Sequence, residues 1–270
     1  MKLEYIASSN QTLIEELKTK LNRKFLKRLK ALDTKFFVNG KELLTYQMVN
    51  IGDVITFFYD EEKEIDWPLY ESKLDIRYED SHYLVVNKRK GLLSIPTKAN
   101  PYSLYQEVLY YLKDKNIKTI SILNRLDKDT SGLVLIAKDR ISANKLEPVH
   151  KYITRHYICQ THGIWDIKEG KIVTYLEKDI ETNKRFVSNS GKLAISNYKV
   201  LEEYDNISKV LFILETGRTH QIRVHTSYML HPICGDKLYG ILDNYDTMQL
   251  ESVYLKFTDP YTNKEIEVRL

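Results

Sequence analysis

The apolar positions of the first sixty residues fall into short, punctuated runs. Leu13, Leu17 and Leu21 recur at helical spacing behind Thr12-x-x-Glu15, the pattern of a capping box. Phe25, Leu26, Leu29 and Leu32 mark the apolar side of a second short helix, with basic residues around the rest. Phe36-Phe37-Val38 then runs into Asn39-Gly40, a pair that tolerates positive φ at both positions and closes tight hairpins. Ile51-Gly52-Asp53 makes another turn before a strand from Val54 to Tyr59. Helix, helix, hairpin and strand in this order predict a small module over residues 1–60. The run from Asp60 to Pro68 is acidic and ends in proline, and a linker is expected over 61–73.

Over residues 74–270 the pattern alternates irregularly. Strands are expected at Tyr83–Asn87, Leu133–Ala137, Tyr157–Thr161, Ala194–Val200, Val210–Leu214 and Val253–Phe257. Ser103-x-x-Gln106 opens one helix, and another is expected from Thr219 toward Leu230, stopped by Pro232. The absence of a regular βαβ rhythm predicts an α+β fold: a mixed, largely antiparallel sheet with helices packed on it.

Composition narrows the class. No window of the chain has the unbroken apolar length of a bilayer-crossing helix, and Met1 to Ile6 lacks the apolar core of a secretory signal. Cys159 and Cys234 stand in no ligand-like spacing, which fits a reducing, cytoplasmic setting. The net charge of +4 names no partner, but its distribution is uneven. Lys18, Lys20, Arg23, Lys24, Lys27, Arg28, Lys30 and Lys35 crowd one stretch with Asp33 as its acid. Such a patch suits a polyanion, although a solvated helix face has the same composition.

Three segments concentrate polar groups. Asn124-Arg125-Leu126-Asp127-Lys128-Asp129-Thr130-Ser131-Gly132 precedes an apolar strand, so its charges sit at a sheet end, where unpaired charge is costly. Asp129, Thr130 and Ser131 read as turn residues. Glu215 to His225 places Arg218 and Arg223 around a helix start capped by Thr219, an arrangement that attracts a carboxylate or phosphate. Lys88-Arg89-Lys90-Gly91 is a basic turn after a strand.

These segments resemble the motifs of the RluA family of pseudouridine synthases. Asn124 to Gly132 is similar to its signature, and Thr216 to His225, continuing through His231-Pro232-Ile233-Cys234-Gly235-Asp236 and Tyr239-Gly240, to its second long motif. Val85-Val86-Asn87-Lys88 with Gly91 resembles its opening motif, and Arg155-His156-Tyr157 with Gly163 its tyrosine motif. Asn124, Arg89 and Leu250-Glu251-Ser252 stand where the family commonly has histidine, proline and leucine-histidine-alanine. The first sixty residues resemble an S4-like RNA-binding domain through the helix pair, Val38-Asn39-Gly40-Lys41 and Gly52-Asp53. Asp33-Thr34-Lys35 stands where that domain usually has a glycine.

The resemblance implies an isomerase that turns specific uridines of structured ribosomal or transfer RNA into pseudouridine. The reaction needs no redox change or group donor, so no cofactor and no metal is expected. Asp127 is implied as nucleophile, attacking C1′ or C6, with Arg223 as its charge partner and Tyr157 stacking on the uracil and taking the C5 proton. Arg125 would fill the space of the flipped uridine. Asn124, Lys88, Arg218, Thr219, His220 and Gln221 are implied as substrate-binding. Arg23, Lys24, Lys27, Arg28 and Lys30 would bind RNA, and a monomer is expected. His150, His156 and His162 are evenly spaced but lack the company of a metal site. Two other classes compete: a non-catalytic RNA-binding protein on a synthase-like scaffold, and a nucleoside glycosidase, which lacks a reason for the basic module.

Overall fold

The computed structural model describes residues 2–21, 23–58, 68–115, 117, 119–146, 153–182 and 184–270. The greater part of the acidic stretch expected as a linker lies outside them, as does His150, and nothing is described of the Lys24 side chain. The chain divides into two compact units, Met1–Trp67 with Asn144–Pro148, and Pro68–Ala143 with Val149–Leu270.

In the first unit β1 (Lys2–Ile6), β2 (Gln11–Thr12), α1 (Leu13–Lys20), α2 (Arg23–Ala31), β3 (Phe36–Val38), β4 (Lys41–Leu43), β5 (Met48–Val49) and β6 (Val54–Phe58) follow in order. Both Thr12 N–H and its hydroxyl donate to Glu15 Oε2, so the helix begins where the capping pattern places it. Asn39 and Gly40 both have positive φ, and β3 and β4 pair across them as a hairpin. The sheet runs β1-β6-β3-β4. Leu13, Leu17 and Leu29 are fully buried, as are Ile55 and Phe57.

The second unit contains β7 (Ile76–Glu79), β8 (Tyr83–Lys88), α3 (Leu104–Leu112), β9 (Ser121–Ile122), β10 (Ser131–Ala137), the start of α4 (Arg140–Leu146, whose residues from Asn144 count with the first unit), β11 (Thr154–His162) and β12 (Glu169–Lys178). It continues with β13 (Arg185–Ser188), β14 (Lys192–Tyr204), β15 (Ile207–Leu214), α5 (Gln221–Tyr228), β16 (Leu250–Thr258) and β17 (Glu265–Arg269). Its eleven-stranded sheet runs β13-β12-β14-β15-β11-β16-β10-β8-β7, with β17 on β16 and β9 on β10. Every described strand pairing in it is antiparallel except β10 with β16. This is the mixed, mostly antiparallel α+β architecture that the sequence pattern predicts.

The one parallel pairing described organises the centre of the sheet. Gly132 pairs with Ser252, which pairs in turn with Tyr157 on β11, so these three residues form a row across three strands. A Cβ on Gly132 would stand 2.2 Å from the Ser252 carbonyl oxygen, and Gly132 has φ +112°. Only glycine permits that approach. On the other edge of β16 the register slips between His156 and Tyr157, a bulge of the kind that re-aims side chains beside functional sites.

Candidate active site

Asp127 is held by buried anchors on both sides of its loop. Upstream, Asn124 lies beside β10: its Nδ2 donates to the Leu133 carbonyl at 3.0 Å, and its Oδ1 accepts from Leu135 N–H at 2.6 Å. Next to Asp127, the Ser94 hydroxyl both donates to the Leu126 carbonyl and accepts from its N–H. Downstream, the Lys88 ammonium donates to the carbonyls of Lys128, Leu92 and Arg89. A loop pinned at three points presents one carboxylate, 29% exposed, to the pocket above.

α5 brings the partners of that carboxylate. Gln221 and His225, four apart and so on one helix face, dock it on the sheet. Gln221 Nε2 donates to the Ile195 carbonyl and the Ser196 hydroxyl, while His225 Nδ1 and Nε2 face the hydroxyls of Ser196 and Thr174. Arg223, between them in sequence, projects the other way. Its Nη1 donates to Asp127 Oδ2 at 3.3 Å, while Nε and Nη2 form a two-pronged bond with Asp236, both at 2.7 Å. The Asp236 side chain is fully buried and also accepts the N–H groups of Leu238 and Tyr239. Burial opposes the charge on Asp236, yet these donors hold it below the usual carboxylate range. Burial likewise opposes the Arg223 charge, but Asp236 and Asp127 raise its pKa above the ordinary value.

His220 is held by Tyr239. The Tyr239 hydroxyl accepts the Arg185 N–H at 2.7 Å and shares a hydrogen bond with His220 Nδ1 at 2.8 Å. Burial holds the imidazole below its usual range. The other ring nitrogen, Nε2, faces Asp127 Oδ2 at 3.7 Å. Tyr157, 7% exposed, shares this pocket with Asp127, Arg125, Arg218, His220 and Arg223. Burial pushes its phenol above the ordinary value.

A family model described as RNA pseudouridylate synthase matches residues 82–228. The chain belongs to that family. It is of the RluA type, and an RNA pseudouridine synthase of Bacillus subtilis is 34% identical over 236 residues, covering 85% of this chain and 83% of the relative. Ribosomal large subunit pseudouridine synthase D of Vibrio vulnificus is 32% identical over 276 residues, 94% of this chain and 84% of the relative. In fold the chain is similar to human RNA pseudouridylate synthase domain containing 1, with a TM-score of 0.63 and 24% identity over 75% of this chain and 85% of that one. The synthase is an isomerase that converts uridine in RNA to pseudouridine. Among the described residues no helix is long and apolar enough to cross a membrane.

Several residues implied as substrate-binding stand elsewhere in the synthase. Lys88 is 1% exposed and spends its three donors on carbonyls. Asn124 and Gln221 are each 3% exposed with both ends of the amide bonded. Lys88 and Asn124 build the loop and Gln221 the helix seat, and Gln221 also lines the Asp127 pocket. Thr219 is exposed and lies outside α5, whose N-cap is His220 in the left-handed region at φ 59°. The Arg218 N–H bonds Gln221 Oε1, which ties the turn before the helix to its first residue. Arg125 is exposed at the pocket rim, with no side-chain bond among the described residues. In the first unit Arg23, Lys27 and Lys30 are exposed and Arg28 is half-buried. Asp236, Tyr239 and Ser94 carry much of the geometry, and the sequence pattern gives none of them a role. Asp236 lies inside the second long motif, thirteen residues from Arg223, but a motif shows no pairing.

Proposed function

We propose that the synthase modifies large-subunit ribosomal RNA with Asp127 as its nucleophile and its first unit as an S4-like RNA-binding module. The observation that carries the chemistry is the Asp127 carboxylate, partly exposed in a pocket and faced by the Asp236-locked Arg223, with Tyr157 beside it. Arg223 keeps one guanidinium edge on Asp236 and offers the other to Asp127, so the nucleophile is oriented by a group that cannot rotate away. A carboxylate adduct at the nucleoside lets the N1–C1′ bond break and the base turn before C5 joins C1′, splitting one difficult step into two. Tyr157 stacks on the uracil and, once its own phenol proton has passed to solvent, takes the proton that C5 loses, and Arg125 occupies the gap left by the flipped nucleotide. His220, its pKa lowered by burial, adds no second full charge beside Asp127.

The choice of RNA rests on the relatives whose names specify the large ribosomal subunit. The basic composition of α2 supports the RNA-binding role of the first unit, through Arg23, Lys27, Arg28 and Lys30, with Lys24 in the same sequence. Full-length synthase incubated with large-subunit ribosomal RNA tritiated at uridine C5 should release tritium to water with no added metal or nucleotide. Label release that appears only with free uridine, or only from transfer RNA, would contradict this reading.

A further inference from the structure

Beside the uridine pocket lies a cleft of about 450 Å³ lined by Lys178, Arg185, Lys192, Gly217, Arg218 and Thr219, with Glu177 as its one acid. Glu177 Oε1 already accepts the Ser190 hydroxyl. None of Lys178, Arg185 and Lys192 has a carboxylate partner among the described residues, and the Arg218 side chain meets only the Leu193 carbonyl, through Nε. Arg218 lines both this cleft and the Asp127 pocket, so the two adjoin at its side chain.

A second, independent observation lies at the junction. Arg155 is 7% exposed, and its Nε is buried without a hydrogen-bond partner. Among the described residues its guanidinium has no ion pair. On β11 it shares a face with Tyr157, two residues on, which is an uncharged phenol in the free site. Its Nη1 rests against Gly217 of the cleft wall, in the space that a side chain would take: a Cβ there would stand 2.9 Å from it. A buried guanidinium without an acid is expensive to keep. It becomes intelligible when an anion arrives with the substrate.

We infer that this cleft carries the RNA backbone next to the target uridine, with Arg155 and Arg218 holding the phosphate nearest the pocket and Lys178, Arg185 and Lys192 the phosphates beyond it. The ligand class is a phosphodiester chain, recognised without regard to base. The inference rests on the reading of this site as a uridine pocket but not on the role of Asp127. The four cations of the cleft come from β12, β13, β14 and the turn before α5, so the track would follow the edge of the sheet. Such contacts fix register and add affinity, leaving sequence to be read elsewhere.

The test is binding in the full chain carrying Asp127→Asn, so that turnover plays no part. The probe is a fluorescein-labelled synthetic RNA hairpin with uridines in its loop, titrated across a potassium chloride series. Lys178→Gln with Lys192→Gln, both exposed, should lower the slope of log affinity against log salt by about 0.7 for each phosphate no longer neutralised, hence about 1.4 together. Arg155→Met should lower it by about 0.7 without lowering the melting temperature, because it strands no partner. An unchanged slope in either variant overturns the inference. So does failure of Arg155→Met to fold, which would show that the guanidinium serves the core. Tritium release by the otherwise wild-type chain is read separately: intact release with unchanged slopes rejects the track and leaves the Asp127 reading standing.

Discussion

Asp236 governs the site although it never faces the pocket. Its two oxygens hold Nε and Nη2 of Arg223, so the one guanidinium nitrogen left for Asp127 is Nη1. Asp236→Ala leaves a mostly buried arginine with one longer bond to Asp127. Breaking such a pair typically costs about 3–5 kcal/mol. Urea unfolding should show a loss of that order, with turnover falling further than RNA binding. Ser94→Ala makes a finer cut, removing the hydroxyl that satisfies both the N–H and the carbonyl of Leu126. A loss of about 1–3 kcal/mol is expected, because buried backbone groups are left unpaired. Turnover should fall because Asp127 is the next residue, and unchanged stability and turnover would remove Ser94 from the account. At this scale sequence motifs show which residues gather but not which way they face. Lys88, Asn124 and Gln221 have the chemistry of RNA-binding groups, and their polar atoms bond the loop and the seat of α5.

At the scale of elements, the seat of α5 makes the synthase sensitive to pH. His225 is fully buried between Thr174 and Ser196, and burial lowers its pKa to about 4. The unfolded chain takes up a proton near the ordinary value of about 6.5, while the fold resists until about 4. The contribution of the neutral ring is therefore present in full above about 6.5 and is lost progressively as pH falls from there to about 4, to the extent of about 3 kcal/mol. Chemical denaturation at about pH 7 and about pH 4.5 should show His225→Gln less stable at the higher pH but flatter between the two. An equal slope in both proteins would contradict this. Six strands of the second unit are legible in the sequence because buried and exposed positions alternate or run continuously apolar, as in β10, where every residue is buried. β12 is not, because Val173 and Tyr175 on its outer face are 55% and 46% exposed and blur the alternation. The start of α5 departs from expectation for a different reason. Thr219 has the composition of a cap, but His220 takes the N-cap position in the left-handed region and no side chain caps the helix.

At the scale of the whole molecule, the candidate nucleophile and the basic helix α2 belong to different units. Among the described residues, all groups that face Asp127 belong to the second unit. The basic helix α2 belongs to the first. Removing residues 1–60 should weaken RNA binding and flatten its salt dependence by about 0.7 to 0.9 for each phosphate that the module neutralises, with turnover surviving at high RNA concentration. An unchanged slope would make the basic stretch a solvated face and remove the case for an S4-like module. The central claim concerns one carboxylate. Asp127→Asn keeps the shape of the side chain and its bond from Arg223 but removes the nucleophilic charge. The decisive measurement is pseudouridine formation in large-subunit ribosomal RNA by folded Asp127→Asn, at an RNA concentration where binding is shown to persist. The account predicts bound RNA and no pseudouridine, and formation at near the wild-type rate would contradict it.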